Sequence, residues 1–144
     1  MIQIIVATHG GFANGIMSTL SMIAGDAEGV TPLSVEPGES PDSFYDIIME
    51  KIDELSAQPD CDGILILVDL LGGTPSNTSA RVLGAKGVDN IRCIAGLNFP
   101  MLVEAVFSRD SMTLPELEAS CMEAARNGVV SLAEMFNLGG NKEE

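Results

Sequence analysis

Apolar positions change period several times along this chain, and each change marks an element. Residues 2–7, Ile-Gln-Ile-Ile-Val-Ala, form a β-branched, almost uninterrupted run that reads as a short buried strand. His9 follows on the turn, and Gly10-Gly11 end the strand before a helical pattern begins. Over Phe12–Ala24, apolar Phe12, Ile16, Leu20 and Ile23 recur at helical spacing, with Gly25-Asp26 as the stop. Val30–Val35 alternates weakly around Pro32, whose missing amide donor suits an edge or short strand. After a Glu36-Pro37-Gly38 turn, Ser40 reads as a helix cap and Pro41 as the first helical residue. Phe44, Ile47, Ile48, Ile52 and Leu55 supply that helix's buried stripe, while Asp46, Glu50, Asp53 and Glu54 form a solvated face.

The strongest strand signal is 63–68, apolar from Ile64 onward, as expected for a central strand of a parallel sheet covered on both faces. It ends in Asp69, then turns through Gly72-Gly73 into a helix starting near Thr74-Pro75 and reaching Leu83. Ile91–Ala95 is a fourth short strand, and the turn 96–100, with Asn98 at the strand end, leads into an apolar helix around Met101, Leu102, Val106 and Phe107. Thr113 caps a further helix with Leu114, Leu117, Cys121 and Ala124 on one face, closed by Asn127-Gly128 in a left-handed cap. Residues 129–132 read as a final short strand or a restarted helix; as a strand, without a crossover helix, they would add antiparallel at a sheet edge. The expected class is α/β: a mainly parallel open sheet with helices on both faces. One domain, 1–136, is expected to precede a disordered tail at 137–144.

At 144 residues the chain can bury a core without disulfides or metals. No apolar run approaches a membrane span, and no basic, apolar and cleavage segments follow Met1, so a cytoplasmic location is the expectation. Cys61, Cys93 and Cys121 are odd in number and widely spaced, which reads as ordinary thiols. A net charge of −14 disfavours nucleic acid and anionic membranes. It serves either as a solubilising surface or to steer a basic partner.

A parallel sheet brings its strand ends to one edge, so His9, the 69–77 loop and Asn98 should converge there. Asp69 is the candidate to accept a bond from imidazole Nδ1–H, which fixes the tautomer and leaves Nε2 as the nucleophile. Gly10, Gly11, Gly72 and Gly73 allow close approach of backbone N–H groups, and Thr8 and Thr74 offer hydroxyls, a set suited to phosphoryl oxygens. The alternative for the glycines is tight-turn geometry alone. With one histidine and no cysteine at these strand ends, neither a metal shell nor a cofactor is expected. Phe12, Leu70, Leu71 and Phe99 form either a docking collar for partners or, for Leu70 and Phe99 especially, core packing.

Three segments then carry a resemblance: Val6-Ala7-Thr8-His9-Gly10-Gly11-Phe12-Ala13, Leu67-Val68-Asp69-Leu70-Leu71-Gly72-Gly73-Thr74-Pro75-Ser76-Asn77, and Ala95-Gly96-Leu97-Asn98-Phe99-Pro100-Met101-Leu102. In order and spacing they closely resemble the mannose-type IIA component of the bacterial phosphoenolpyruvate-dependent sugar phosphotransferase system, over the chain up to about Leu132. The resemblance implies a cytoplasmic phosphocarrier. His9 would take a phosphoryl group from the phosphohistidine of the carrier HPr and pass it to a IIB component. Asp69 matches the family's histidine-orienting aspartate, and Thr74 a hydroxyl residue of its active-site loop. The resemblance further implies a homodimer in which the antiparallel strand near the C-terminus is exchanged, and peripheral association with a membrane permease. With no IIB-like segment following, the expectation is a stand-alone subunit, the alternative being a regulatory docking relative. A histidine phosphatase would want arginines around the phosphate, and Thr8 stands where one is expected.

Overall fold

The computed structural model describes residues 1–139, so the part of the expected tail from 140 onward lies outside the described residues. In chain order the elements are β1 (Gln3–His9), α1 (Phe12–Ala24), β2 (Val30–Val35), α2 (Pro41–Ser56), β3 (Ile64–Val68), α3 (Thr74–Lys86), β4 (Ile91–Ala95), α4 (Phe99–Ser108), α5 (Leu114–Asn127) and the short α6 (Leu132–Met135). The four strands form one parallel sheet in the order β2-β1-β3-β4. Pro32 accordingly sits on an edge strand, where its missing donor costs no ladder bond.

This order determines which face each helix covers. The chain moves one way from β1 to β2 and the other way from β2 to β3, and right-handed crossovers then put α1 and α2 on opposite faces. Strand alternation supplies both cores. Ile4, Val6, Leu65 and Leu67 point toward α1, α4 and α5, where Ile16, Leu20, Met101, Leu102, Leu117 and Cys121 pack. Ile5, Ala7, Ile64, Ile66 and Val68 point toward α2 and α3, against Phe44, Ile48, Ile52 and Val82. Every residue of β3 is buried, as its unbroken apolar run predicts. Between β1 and β3 the connections leave in opposite directions, and a crevice opens at their carboxyl ends.

Several expectations are corrected in detail. In α1 the buried stripe is Ala13, Ile16 and Leu20, while Phe12 and Ile23 fall on one exposed flank, one residue off the row that faces the sheet. Ile47 and Phe107 are likewise exposed, and in α5 Ala125 completes the buried face in place of Ala124. Gly128 has φ −80°, so it does not form a left-handed cap. Its need for glycine is tertiary: a Cβ there would lie 2.5 Å from Pro100 Cγ. Residues 129–132 form no strand within the chain among the described residues; Ser131 caps α6 by accepting from Glu134 N at 3.3 Å. Burial pushes the thiols of Cys93 and Cys121 up, to about 11 and about 12, so both are neutral at physiological pH.

One residue that hydropathy hides holds the amino-terminal edge together. Arg109, just past α4, is only 6% exposed, and its guanidinium donates to the carbonyls of Ile2 at 3.4 Å, Gly29 at 3.2 Å and Glu28. It thereby ties the end of α4 to the starts of β1 and β2. Replacing Arg109 with Met keeps the apolar stem but strips these carbonyls of their donor. Arg109→Met is expected to lower the unfolding free energy by about 2–3 kcal/mol, read from urea denaturation; an unchanged midpoint would contradict the clasp.

Candidate functional site

The crevice between β1 and β3 is where the only histidine meets a carboxylate. Ala7 pairs with Val68 in the parallel register, so His9 and Asp69 both emerge just beyond the last shared step. Asp69 Oδ2 accepts two bonds from His9, one from the backbone N–H at 2.9 Å and one at 2.9 Å from Nδ1. Asp69 Oδ1 accepts from Leu70 N at 2.9 Å. The carboxylate is therefore gripped on both oxygens and only 10% exposed, whereas the imidazole is 47% exposed. With Nδ1–H donating to Asp69, Nε2 carries the free lone pair.

Burial by itself would raise the Asp69 carboxyl. The bonds from the backbone and ring of His9, with the attraction of the imidazole, outweigh it and hold Asp69 below its ordinary 3.8.

Two turns complete the surroundings of the ring. After His9 the chain reverses at Gly10, whose φ is +50° and whose N–H donates to Val35 O at 3.0 Å, and Gly11 then opens α1. After Asp69, residues 70–73 make a β-turn closed by Gly73 N to Leu70 O at 3.3 Å, with Gly72 at φ +88° in its third position. Gly73 then opens α3 without a side-chain cap, followed by half-buried Thr74 and buried Pro75. A Cβ on Gly73 would stand 2.6 Å from His9 Cε1 and 3.1 Å from Nε2. The bare backbone of the α3 amino terminus thus lies directly against the exposed edge of the imidazole. Helix amino termini that approach an atom this way stabilise negative charge on it.

The structure brings His9, Asp69 and the 72–73 turn together, and sends two expected members elsewhere. Thr8 is fully buried; its hydroxyl accepts from Ala13 N at 2.8 Å and so shapes the entry into α1 rather than reaching a ligand. Asn98 caps α4 by accepting from Met101 N at 3.0 Å and donates to Ala125 O at 3.0 Å. It lines a separate cleft of ≈ 290 Å³ with Gly96, Met101 and Arg126. Of the expected collar, Leu70 and Leu71 are exposed, Phe12 is 42% exposed, and Phe99 packs partly into the core. Phe12 and Phe99 share a shallow groove of ≈ 330 Å³ between α1 and α4. The sequence pattern points to close backbone approach at Gly73 toward a ligand, but not to its contact with the ring of His9 nor to the second bond from His9 to Asp69. A glycine just before Thr-Pro is the one signal for the approach, and it is equally consistent with a plain helix start.

The chain is similar to several known proteins. A family model, EIIA-man, described as "PTS system fructose IIA component", matches residues 3–122. The PTS system mannose-specific EIIAB component of Escherichia coli (strain K12) is 36% identical over 135 residues, covering 91% of this chain; the chain spans only 39% of that protein's length. The PTS system sorbose-specific EIIA component of Lacticaseibacillus casei is 26% identical over 142 residues, 99% of each chain. The crystal structure of phosphotransferase system component EIIA from Streptococcus agalactiae superimposes with a TM-score of 0.84 at 33% identity, covering 93% of this chain and 99% of that one.

Two outcomes follow from the site's contacts. Gly73 has extended backbone that alanine also adopts, so Gly73→Ala should fold normally and displace the imidazole; the NMR signal of His9 Cε1–H should move while the melting temperature stays put. The depressed Asp69 stabilises the fold above its ordinary carboxylate range, and this contribution is lost as pH falls through the lowered value. The stability gap between the wild type and Asp69→Asn, followed by urea denaturation from pH 7 downward, should therefore narrow only in acid; a gap independent of pH would refute the assignment.

Proposed function

The chain belongs to the EIIA-man family of phosphotransferase system components, and on that premise we propose that it is a phosphocarrier in which His9 accepts a phosphoryl group from phospho-HPr and passes it to a IIB component for sugar uptake. The observation that carries this reading is the pair of hydrogen bonds that Asp69 Oδ2 accepts from His9, which fixes Nδ1 as the donor and presents Nε2 beside the α3 amino terminus.

The Nε2 lone pair attacks phosphorus in line, and the bond from phosphorus to the donor's imidazole nitrogen breaks, its electron pair remaining with the donor. His9 becomes a phosphorylated imidazolium, its proton still on Nδ1 and facing Asp69, whose negative charge stabilises the new cation. The backbone N–H groups of Thr74 and Ser76 at the start of α3, with the Thr74 hydroxyl, receive the phosphoryl oxygens. A P–N bond to a cationic imidazole retains high transfer potential, so the group can move on to a IIB nucleophile.

Partner choice rests on the surface. Lys51, Arg81, Lys86 and Arg92 each pair with a carboxylate of this chain, which leaves the excess acidic charge unneutralised and favours basic partners. Phe12, Leu70 and Leu71 present apolar contact area beside His9. Val129, Leu132, Met135, Phe136 and Leu138 are all exposed, which supports a homodimer that covers this segment; sedimentation equilibrium reads that state directly. No described helix is long and apolar enough to cross a membrane, and the proposed place of action is the cytoplasm.

Wild-type protein incubated with labelled phosphoenolpyruvate, enzyme I and HPr should acquire acid-labile, base-stable label, and His9→Ala should acquire none. Asp69→Asn should fold and accept the group at least about tenfold more slowly. Wild-type labelling of His9→Ala would overturn the reading.

A further inference from the structure

Asn77 lies on the first turn of α3 and is exposed, yet its side chain folds back onto the loop before the helix. Its Nδ2 donates to Gly72 O at 3.2 Å, while its backbone N–H donates to Gly73 O at 2.9 Å. One residue therefore holds the carbonyls of both glycines in the turn that touches the imidazole. The other end of the turn is held by Asp69, through Leu70 N, and its middle by the Gly73 to Leu70 bond. Between these anchors Gly72 sits at φ +88°, a conformation that a free glycine leaves readily. Without the Asn77 amide, rotation about the 72–73 peptide is opposed only by the 3.3 Å bond from Gly73 N.

That peptide is the one whose position matters to chemistry. A Cβ on Gly73 would fall 2.6 Å from Cε1 and 3.1 Å from Nε2 of His9, so the backbone there bounds the space in which a phosphoryl group on Nε2 would lie. We propose, resting on the carrier reading above, that Asn77 is a positioning residue for phosphoryl transfer: by pinning Gly72 O it holds the 72–73 backbone at the approach distance that His9 Nε2 and its phosphoryl oxygens require. Asn77 itself touches neither the ring nor the transferred group. It acts through the turn, and its effect is on orientation rather than on binding of the donor.

The test uses Asn77→Ala and Asn77→Leu, the second filling the same space without a donor. Both are expected to fold, because the bond lost is exposed. Single-turnover phosphorylation by phospho-HPr should slow about tenfold at saturating donor, with the half-saturating donor concentration unchanged. His9 is the only histidine, so its Cε1–H resonance is unambiguous, and in both variants it should shift from the wild-type position. A wild-type rate together with a wild-type His9 resonance would overturn the proposal, as would a loss of rate that merely tracks the fraction of protein folded. If wild-type protein accepts no phosphoryl group, the carrier reading falls, and the His9 resonance decides the positioning role: a shift in both variants upholds it, and no shift removes it.

Discussion

The site depends on one carboxylate oxygen. Asp69 Oδ2 takes a bond from the backbone of His9 and another from its ring, so a single atom on the end of β3 fixes both where β1 stops and how its last side chain is turned. The two strands could sit in register without that oxygen, since their ladder ends at Ala7 and Val68. What they could not do is present an imidazole in one tautomer and one rotamer. The low exposure of Asp69 makes the arrangement strong, because a buried carboxylate without its donors would be costly to keep ionised.

Strand order makes this possible without long loops. The reversal between β1 and β3 places two helix amino termini, those of α1 and α3, on opposite faces of the same crevice. Each is entered through a glycine pair, and at Gly73 the backbone approaches the ring where a side chain would otherwise stand. The arrangement is built from turns a few residues long, and the distances within it are inherited from the rigid sheet.

Much of this was legible in the sequence because it follows from local patterning. An unbroken apolar run ending in Asp69, and another ending near His9, indicate parallel strands whose ends share an edge. Ser40 and Thr113 announce their helices by side-chain chemistry that requires no partner from elsewhere in the chain. What stayed hidden depends on contacts between distant segments. Gly128 reads as a left-handed cap beside Asn127, and only the proximity of Pro100 shows why a side chain is excluded. Arg109 carries no signal in the local pattern, because its burial and its three carbonyl partners are settled by β1 and β2. Thr8 misled for a subtler reason. It shares the parity of Ile4 and Val6 and so points under α1, while proximity to His9 alone suggested a ligand.

The Arg109 clasp and His9 stand at opposite ends of β1, separated by roughly 20 Å of strand. Part of the fold's durability is thus anchored away from its chemistry on the same scaffold. Substitutions around the clasp can change how long a molecule survives heat or proteolysis while the reactive edge keeps its shape, and changes at that edge leave the lower anchor intact. Mutational drift can therefore adjust the persistence of the protein in its cell separately from the speed at which it works.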